Sequence, residues 1–347
     1  MKRMLSGIIG AVSLLIFLFL WGVTDHMTSS LEDQNMAERW SKTGGVAQVS
    51  CFFSADASVT GDTLEEFEYH MTNYLKESAV APQTKNPGAR LWISAYSGEG
   101  KVTLSGTGGS LEADAIGVGG DFFLFHPMKL LGGSYFSGND VNQDYCVIDE
   151  DAAWQLFGSS DVAGMMVTIQ GVPHVISGVI ERPKGKLYEA AGLDATRVYV
   201  SYSSLETYGS CHGINHYEIV MPNPVSKFAY NYVKEKLGAN ERETLVLENS
   251  SRFSLLRRLQ VIGSLGTRSM NGKSIVYPFW ENVARGYEDI CGLLTLCMCL
   301  ALVYPVTALV VAVVRLRKRK GWTFRYFWIK IVCGAKTVFR KICTIKH

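Results

Sequence analysis

A chain of 347 residues, 47% of them hydrophobic, is long enough to bury one large core and to carry accessory segments besides. The formal net charge of +2 hides a sharp partition: no acidic residue precedes Asp25 or follows Asp289, so all 32 lie between them, together with 21 of the 34 basic residues. Positive ends around an acidic middle exclude a basic nucleic-acid-binding surface and mark a membrane protein.

The eight cysteines follow the same partition. Cys51, Cys146 and Cys211 lie in the acidic middle, Cys291, Cys297 and Cys299 in an apolar run, and Cys333 and Cys343 in the basic tail. Three cysteines cannot all pair, so a disulfide framework is a poor reading. Single core cysteines are preferred, with one bridge among the three left open.

Taken in order, Lys2 and Arg3 precede an uncharged stretch, Met4 to Val23. At about 1.5 Å per residue it is long enough to cross the hydrocarbon core. Its flanking charges keep the N-terminus in the cytoplasm. Trp21-Gly22-Val23-Thr24-Asp25 offers no cleavage pattern of small residues, so an uncleaved anchor is expected rather than a signal peptide. Met27 to Trp40 is polar and is expected to extend this helix outward as a stalk. Val46 to Phe53 reads as a strand. Thr63 is expected to cap a helix to about Ser78, with Leu64, Phe67, Met71, Tyr74 and Leu75 on one face. After a loop at Pro82 to Gly88, Ala89 to Tyr96 completes a strand–helix–strand unit.

From about Ser97 to Tyr208 the chain is rich in glycine and short strands. Gly106, Gly108, Gly109, Gly117, Gly119 and Gly120 read as turns and bulges, not as a dinucleotide loop. Tyr145 to Ile148 suits a strand, and Asp149 follows as a helix cap, with Glu150 and Asp151 on the first turn where the helix dipole favours negative charge. Ala153, Leu156 and Phe157 form the buried face, and Gly158 ends the helix. Met165 to Gln170 and His174 to Ile180 are strand-like and joined at Gly171-Val172-Pro173, a hairpin signal.

A second strand–helix–strand unit follows. His216 to Met221 is a strand, Pro224 to Leu237 a helix with Val225, Phe228, Tyr232 and Val233 inward, Gly238 its stop, and Thr244 to Leu247 the returning strand. Leu255 to Leu265 suits a short helix, and Tyr277-Pro278-Phe279-Trp280 places aromatics where a membrane interface begins. Ile290 to Val314 is 25 residues without a charge, with Pro305 as an expected kink. Arg315-Leu316-Arg317-Lys318-Arg319-Lys320 follows at once and places the C-terminus inside. The tail from Trp322 to His347 fits an amphipathic segment on the anionic inner leaflet.

The order of these elements resembles the periplasmic core domain of MacB-type ABC transporter permeases. The residues that carry the resemblance are Gly119 to Phe122, Leu131 to Phe136 with Asp140, Val147 to Glu150, Ala153, Leu156 to Ser159, Gly164, and Val175 to Ile180. The expected fold class is α+β: an extracytoplasmic domain of two strand–helix–strand units flanking a β-rich insert, anchored by an N-terminal and a C-terminal transmembrane helix. The expected divisions are an anchor at 1–28, the domain at 29–288, a second span at 289–315 and a cytoplasmic tail at 316–347. Within the domain, α/β parts at about 46–97 and 209–262 flank an insert at about 98–208. The family usually has three helices after the outer domain, and this chain shows one, so it reads as a two-span variant. The resemblance implies a separate ABC ATPase subunit and leaves room for a second permease subunit, in a homodimer or a heterodimer.

The residues suggest no enzyme and no cofactor. Gly266 to Ser274 imitates a phosphate-binding loop, but five residues separate its glycines where four are needed, and no strand leads into it. Cys211, His212 and His216 lack the partnered spacing of a zinc site and read as surface or packing residues. His126 sits in a turn before Pro127 and His174 on an exposed strand position, neither with a carboxylate nearby in sequence. Asp149, Glu150 and Asp151 are explained by the helix start. The candidate contact residues are Arg315, Arg317, Lys318, Arg319 and Lys320 with Arg325 and Lys330, which would face an ATPase or the membrane surface. Two functions follow: a membrane component of a MacB-like ABC system that exports or extracts peptides, toxins or lipoproteins, or a two-pass receptor or scaffold that binds an envelope ligand without transport.

Overall fold

The computed structural model describes residues 2–78, 80, 89–238, 240, 242–265 and 275–320. The chain divides into two units, one formed by His26–Gly292 and one by the terminal helical segments on either side. In chain order the helices are α1 (Lys2–Ser29), α2 (Met36–Trp40), α3 (Gly61–Glu77), α4 (Phe122–Phe125), α5 (Glu150–Phe157), α6 (Lys186–Ala190), α7 (Tyr202–Tyr208), α8 (Phe228–Lys236), α9 (Leu255–Ile262) and α10 (Phe279–Lys320). The strands are β1 (Val46–Phe53), β2 (Ile93–Gly106), β3 (Gly109–Gly120), β4 (Leu130–Gly133), β5 (Tyr145–Asp149), β6 (Met166–Ile169), β7 (Val172–Ile180), β8 (Arg197–Ser201), β9 (Ser210–Cys211), β10 (His216–Pro222) and β11 (Thr244–Glu248).

The two expected strand–helix–strand units interlock. The sheet runs β11-β1-β10-β2-β3-β8-β5-β7-β4, so β10 lies between β1 and β2, and β1 lies between β10 and β11. Each of these neighbours is antiparallel, which makes both units split β-α-β elements. Period-two alternation decides what each strand buries. Ala47, Val49, Cys51 and Phe53 of β1 and Tyr217, Ile219 and Met221 of β10 pack under Leu64, Phe67, Met71 and Leu75 of α3 and Ala229 and Val233 of α8. The alternate residues face the other side of the sheet, under α2, α4 and the first turn of α10. The second half, around the parallel pairs β3·β8 and β5·β7, buries Cys146, Ile148, Ile176 and Val198 beneath α5 and α7.

Several local expectations hold. Asp149 accepts a hydrogen bond from Ala152 N at 2.8 Å, and Gly158 closes α5 at φ +70°. Others shift for physical reasons. The cap of α3 is Thr60, whose hydroxyl accepts from Thr63 N. The hairpin turns at Gln170 and Gly171, both at positive φ, so Val172 and Pro173 belong to β7. Pro173 precedes the first pairing with β5, on a side of the strand where no ladder donor is needed. β2 starts at Ile93, and just before it the side chains of Arg90 and Trp92 bond to Asp121 and Thr72. α8 starts at Phe228, after Lys227 at φ +65° interrupts the chain, and Val225 is exposed rather than inward.

The stalk reading is overturned. α1 stops at Ser29, and the chain turns back so that Leu31, Met36 and Ala37 are buried on the domain. The Gln48 side chain holds this return: its Oε1 accepts from Met36 N at 2.9 Å and its Nε2 donates to Asp33 O at 2.7 Å.

α1 and α10 are long and apolar enough to cross a membrane, and their apolar side chains are largely exposed. α10 runs well beyond the expected span at both ends, and Pro305 lies inside it. Within the terminal unit, the Tyr304 hydroxyl donates to Ser6 Oγ at 2.9 Å.

Candidate functional site where α10 joins the domain

The first turns of α10, from Phe279 to Gly292, belong to the domain. Two buried polar clusters gather around them. The first is centred on Arg252, only 5% exposed, which follows the short turn after β11. Its Nη1 donates to Glu281 Oε2 at 2.6 Å and its Nη2 to Glu281 Oε1 at 2.9 Å, a bidentate pair. Nη1 also donates to Gln34 Oε1, and Nε lies 3.0 Å from Glu288 Oε1. Arg285 Nε donates to Glu281 Oε1 at 2.7 Å. Burial alone would lower the Arg252 pKa, but Glu281 and Glu288 outweigh it and hold the guanidinium charged. The cluster thus ties the segment after α1, the segment after β11 and the start of α10 to one another. Its two arginines and two glutamates balance in charge.

The second cluster follows from strand register. His216 and Glu218 are two residues apart on β10, so both point to the α10 side of the sheet. Pairing sets Phe52 and Ser97 beside His216, and Ser50 and Ala95 beside Glu218. Accordingly Ser50 Oγ donates to Glu218 Oε1 at 2.7 Å, and Phe52 stacks on His216 with ring centroids 4.9 Å apart. The turn after α4 brings in His126, whose Nε2 lies 3.2 Å from Glu218 Oε2; His216 Nε2 lies 3.2 Å from Oε1. His126 Nδ1 is 3.1 Å from Asp33 Oδ1. Trp280, from the first turn of α10, packs its ring 4.3 Å from that of His126 and 5.3 Å from that of His216. All three ionisable groups are at most 2% exposed. Burial alone would lower the His126 pKa, but Glu218 and Asp33 raise it to about 9. Burial alone would raise the Glu218 carboxyl, but His126 and His216 hold it well below the usual carboxylate range.

His126 also borders a cleft of about 590 Å³ lined by Asp33, Lys129, Arg182, Arg197 and Phe279. On its wall Asp149 Oδ2 accepts from Arg182 Nη2 at 2.7 Å and from Arg197 N at 2.9 Å. The acidic triplet 149–151 is the helix start its sequence implies, and the fold adds ion pairs to Arg182 and Lys184.

The fold gives one histidine partners from elsewhere in the chain and corrects the reading of another. His126 has two carboxylates beside it, supplied by residues distant in sequence. His174 is fully buried because it shares a face of β7 with Ile176. It donates from Nδ1 to Val172 O at 3.0 Å, and its Nε2 meets the Tyr208 hydroxyl. Burial lowers its pKa and favours the neutral ring. His216 does not join Cys211 and His212; its partners are His126 and Glu218. Cys51, Cys146 and Cys211 are free thiols.

Of the expected contact residues, Arg315, Arg317 and Lys318 are exposed near the end of α10, where basic side chains suit the helix dipole. Arg319 and Lys320 belong to the same helix. Arg325 and Lys330, the amphipathic tail and the glycine loop at 266–274 lie outside the described residues.

A sequence profile of the MacB-like periplasmic core domain matches residues 4–228, well over half of the chain. The chain belongs to this family. Its apolar terminal helices and periplasmic-type domain fit a membrane protein with an extracytoplasmic domain. The macrolide export ATP-binding/permease protein MacB of Chromobacterium violaceum is 31% identical over 97 residues, covering 27% of this chain and 14% of that protein. Among solved structures, the periplasmic region of MacB from Actinobacillus actinomycetemcomitans is 18% identical at a TM-score of 0.38, covering 60% of this chain and 91% of that one. The extracellular domain of the ABC-type transporter YknZ from Gram-positive bacteria is 14% identical at a TM-score of 0.38, covering 58% and 99%. The family assignment rests on the sequence match.

Proposed function

We propose that this chain is the membrane component of a MacB-like ABC transport system. In this reading both termini are cytoplasmic, and the domain moves with a separate cytoplasmic ATPase to export or extract peptides, toxins or lipoproteins. The observation that carries the reading is the seat of α10. The helix that would cross the bilayer starts inside the domain, fastened by the Arg252–Glu281 fork and by the buried Trp280, and continues unbroken to Lys320. A pull on its far end would reach the sheet without passing through a loop. Arg315, Arg317, Lys318, Arg319 and Lys320, continued by Arg325 and Lys330, are the proposed contact with the ATPase or with the anionic inner leaflet.

Gentle detergent extraction tests this. The ATPase subunit is expected to co-purify with the full chain and to be lost when the residues after Val314 are removed. A folded full chain that retains no nucleotide-binding subunit would contradict transport and favour a two-pass receptor or scaffold.

A further inference from the structure

We propose that His126, His216 and Glu218 form a binding site for one divalent transition-metal ion of the zinc class, seated between β10 and the first turn of α10. Three observations carry this. First, the three ligand atoms lie within 4.8 Å of one another, and His126 Nε2 stands 3.2 Å from Glu218 Oε2. Two atoms each about 2.0–2.2 Å from a common zinc ion would stand at about this separation. Secondly, His126 Nε2, His216 Nε2 and Glu218 Oε2 are fully buried yet make no hydrogen bond of acceptable geometry. They converge without being aligned on one another, whereas a hydrogen-bonded salt bridge would align them.

Thirdly, the outer atoms of each ligand are already held. His126 Nδ1 faces Asp33 Oδ1 at 3.1 Å, the carboxylate–histidine arrangement that fixes the tautomer with Nε2 free to ligate. His216 Nδ1 faces Ser97 Oγ at 3.5 Å, and Glu218 Oε1 accepts from Ser50. Phe52, Phe122 and Trp280 close the surroundings with aromatic rings. His126 borders the 590 Å³ cleft, on the side of its ring that faces Asp33.

Two histidines and a carboxylate suit zinc better than calcium or magnesium, which favour all-oxygen shells. A bound ion would cross-link β10 and the α4 turn beneath Trp280, stiffening the seat of α10. The inference concerns the domain's own residues and stands whether or not an ATPase partner exists.

The test uses the full chain in detergent, stripped with a chelator and titrated with Zn²⁺ alone. One equivalent is expected to bind and to raise the melting temperature, and Co²⁺ in its place is expected to give the intense visible bands of a four-coordinate site. Glu218→Gln, which keeps an acceptor for Ser50, is expected to abolish both responses. Asp33→Asn, at a partly exposed position that ligates nothing, is expected to weaken Zn²⁺ binding by about 10- to 100-fold while leaving the fold intact. That variant keeps the test valid if Glu218→Gln does not fold. A folded wild-type chain whose melting is unmoved by Zn²⁺, and which leaves Co²⁺ with its aqueous spectrum, would overturn the proposal and leave the cluster a buried ion pair. Unchanged Zn²⁺ affinity in Asp33→Asn would equally overturn it.

Discussion

At the scale of single residues, the domain's strongest commitments are its buried charges. Removing one partner of a buried, hydrogen-bonded ion pair leaves the other charge uncompensated, which costs about 3–5 kcal/mol. Arg252→Ala is therefore expected to lower the stability of the domain by about that amount, measured by chemical denaturation in detergent. Arg252→Lys should recover only part of the loss, because an ammonium cannot bridge both oxygens of Glu281 in parallel. A loss below about 1 kcal/mol for Arg252→Ala would mean that water reaches the pair and that α10 is held by packing alone. Such residues are only partly legible in a sequence. His216 and Glu218 can be read as sharing a face of a strand, and two ionisable groups in an otherwise apolar run are a visible signal. That their third partner is His126 depends on where the turn after α4 lands. Proximity in sequence points instead to Cys211 and His212, which the fold keeps out of the cluster.

At the scale of elements, local chemistry is read well and tertiary capture is not. The Asp149 cap and the Gly158 stop are fixed by side chains within a few residues of the helix they bound. The return of the chain after α1 is invisible locally, because Gln48 holds it from the next strand. The interlocked order of β11, β1, β10 and β2 likewise follows from pairing across the chain, which no local pattern encodes. The glycines around β3 belong to this scale too. Gly138 lies against the end of β3 so closely that an added Cβ would stand 2.6 Å from the Cα of Gly119. The obstacle is backbone and cannot rotate away. Gly138→Ala is expected to destabilise the domain by about 1–3 kcal/mol, the usual range for overpacking, as a drop in its denaturation midpoint. Gly44→Ala is a poor control, since its positive φ adds strain, whereas Gly61 has open space and negligible contact. Gly61→Ala should leave the midpoint almost unchanged.

At the scale of the whole molecule, the account depends on one arrangement: an acidic domain outside the membrane, held by α1 and α10, with the basic end of α10 inside. The partition of charge that suggests it is legible without any structure, because lipid imposes it on the sequence directly. Native cysteines report it poorly, since Cys51 and Cys146 are fully buried and burial raises both thiols far above their ordinary pKa. An added cysteine at Val141, which is 96% exposed on the domain, is a better reporter, paired with one at Leu316, which is 58% exposed near the end of α10. In a background with Cys211, Cys333 and Cys343 changed to serine, a membrane-impermeant maleimide is applied to intact spheroplasts. The account predicts that Val141→Cys is labelled at once and that Leu316→Cys is labelled only after the membrane is permeabilised. Labelling of Leu316→Cys from outside, with Val141→Cys protected until lysis, would contradict it.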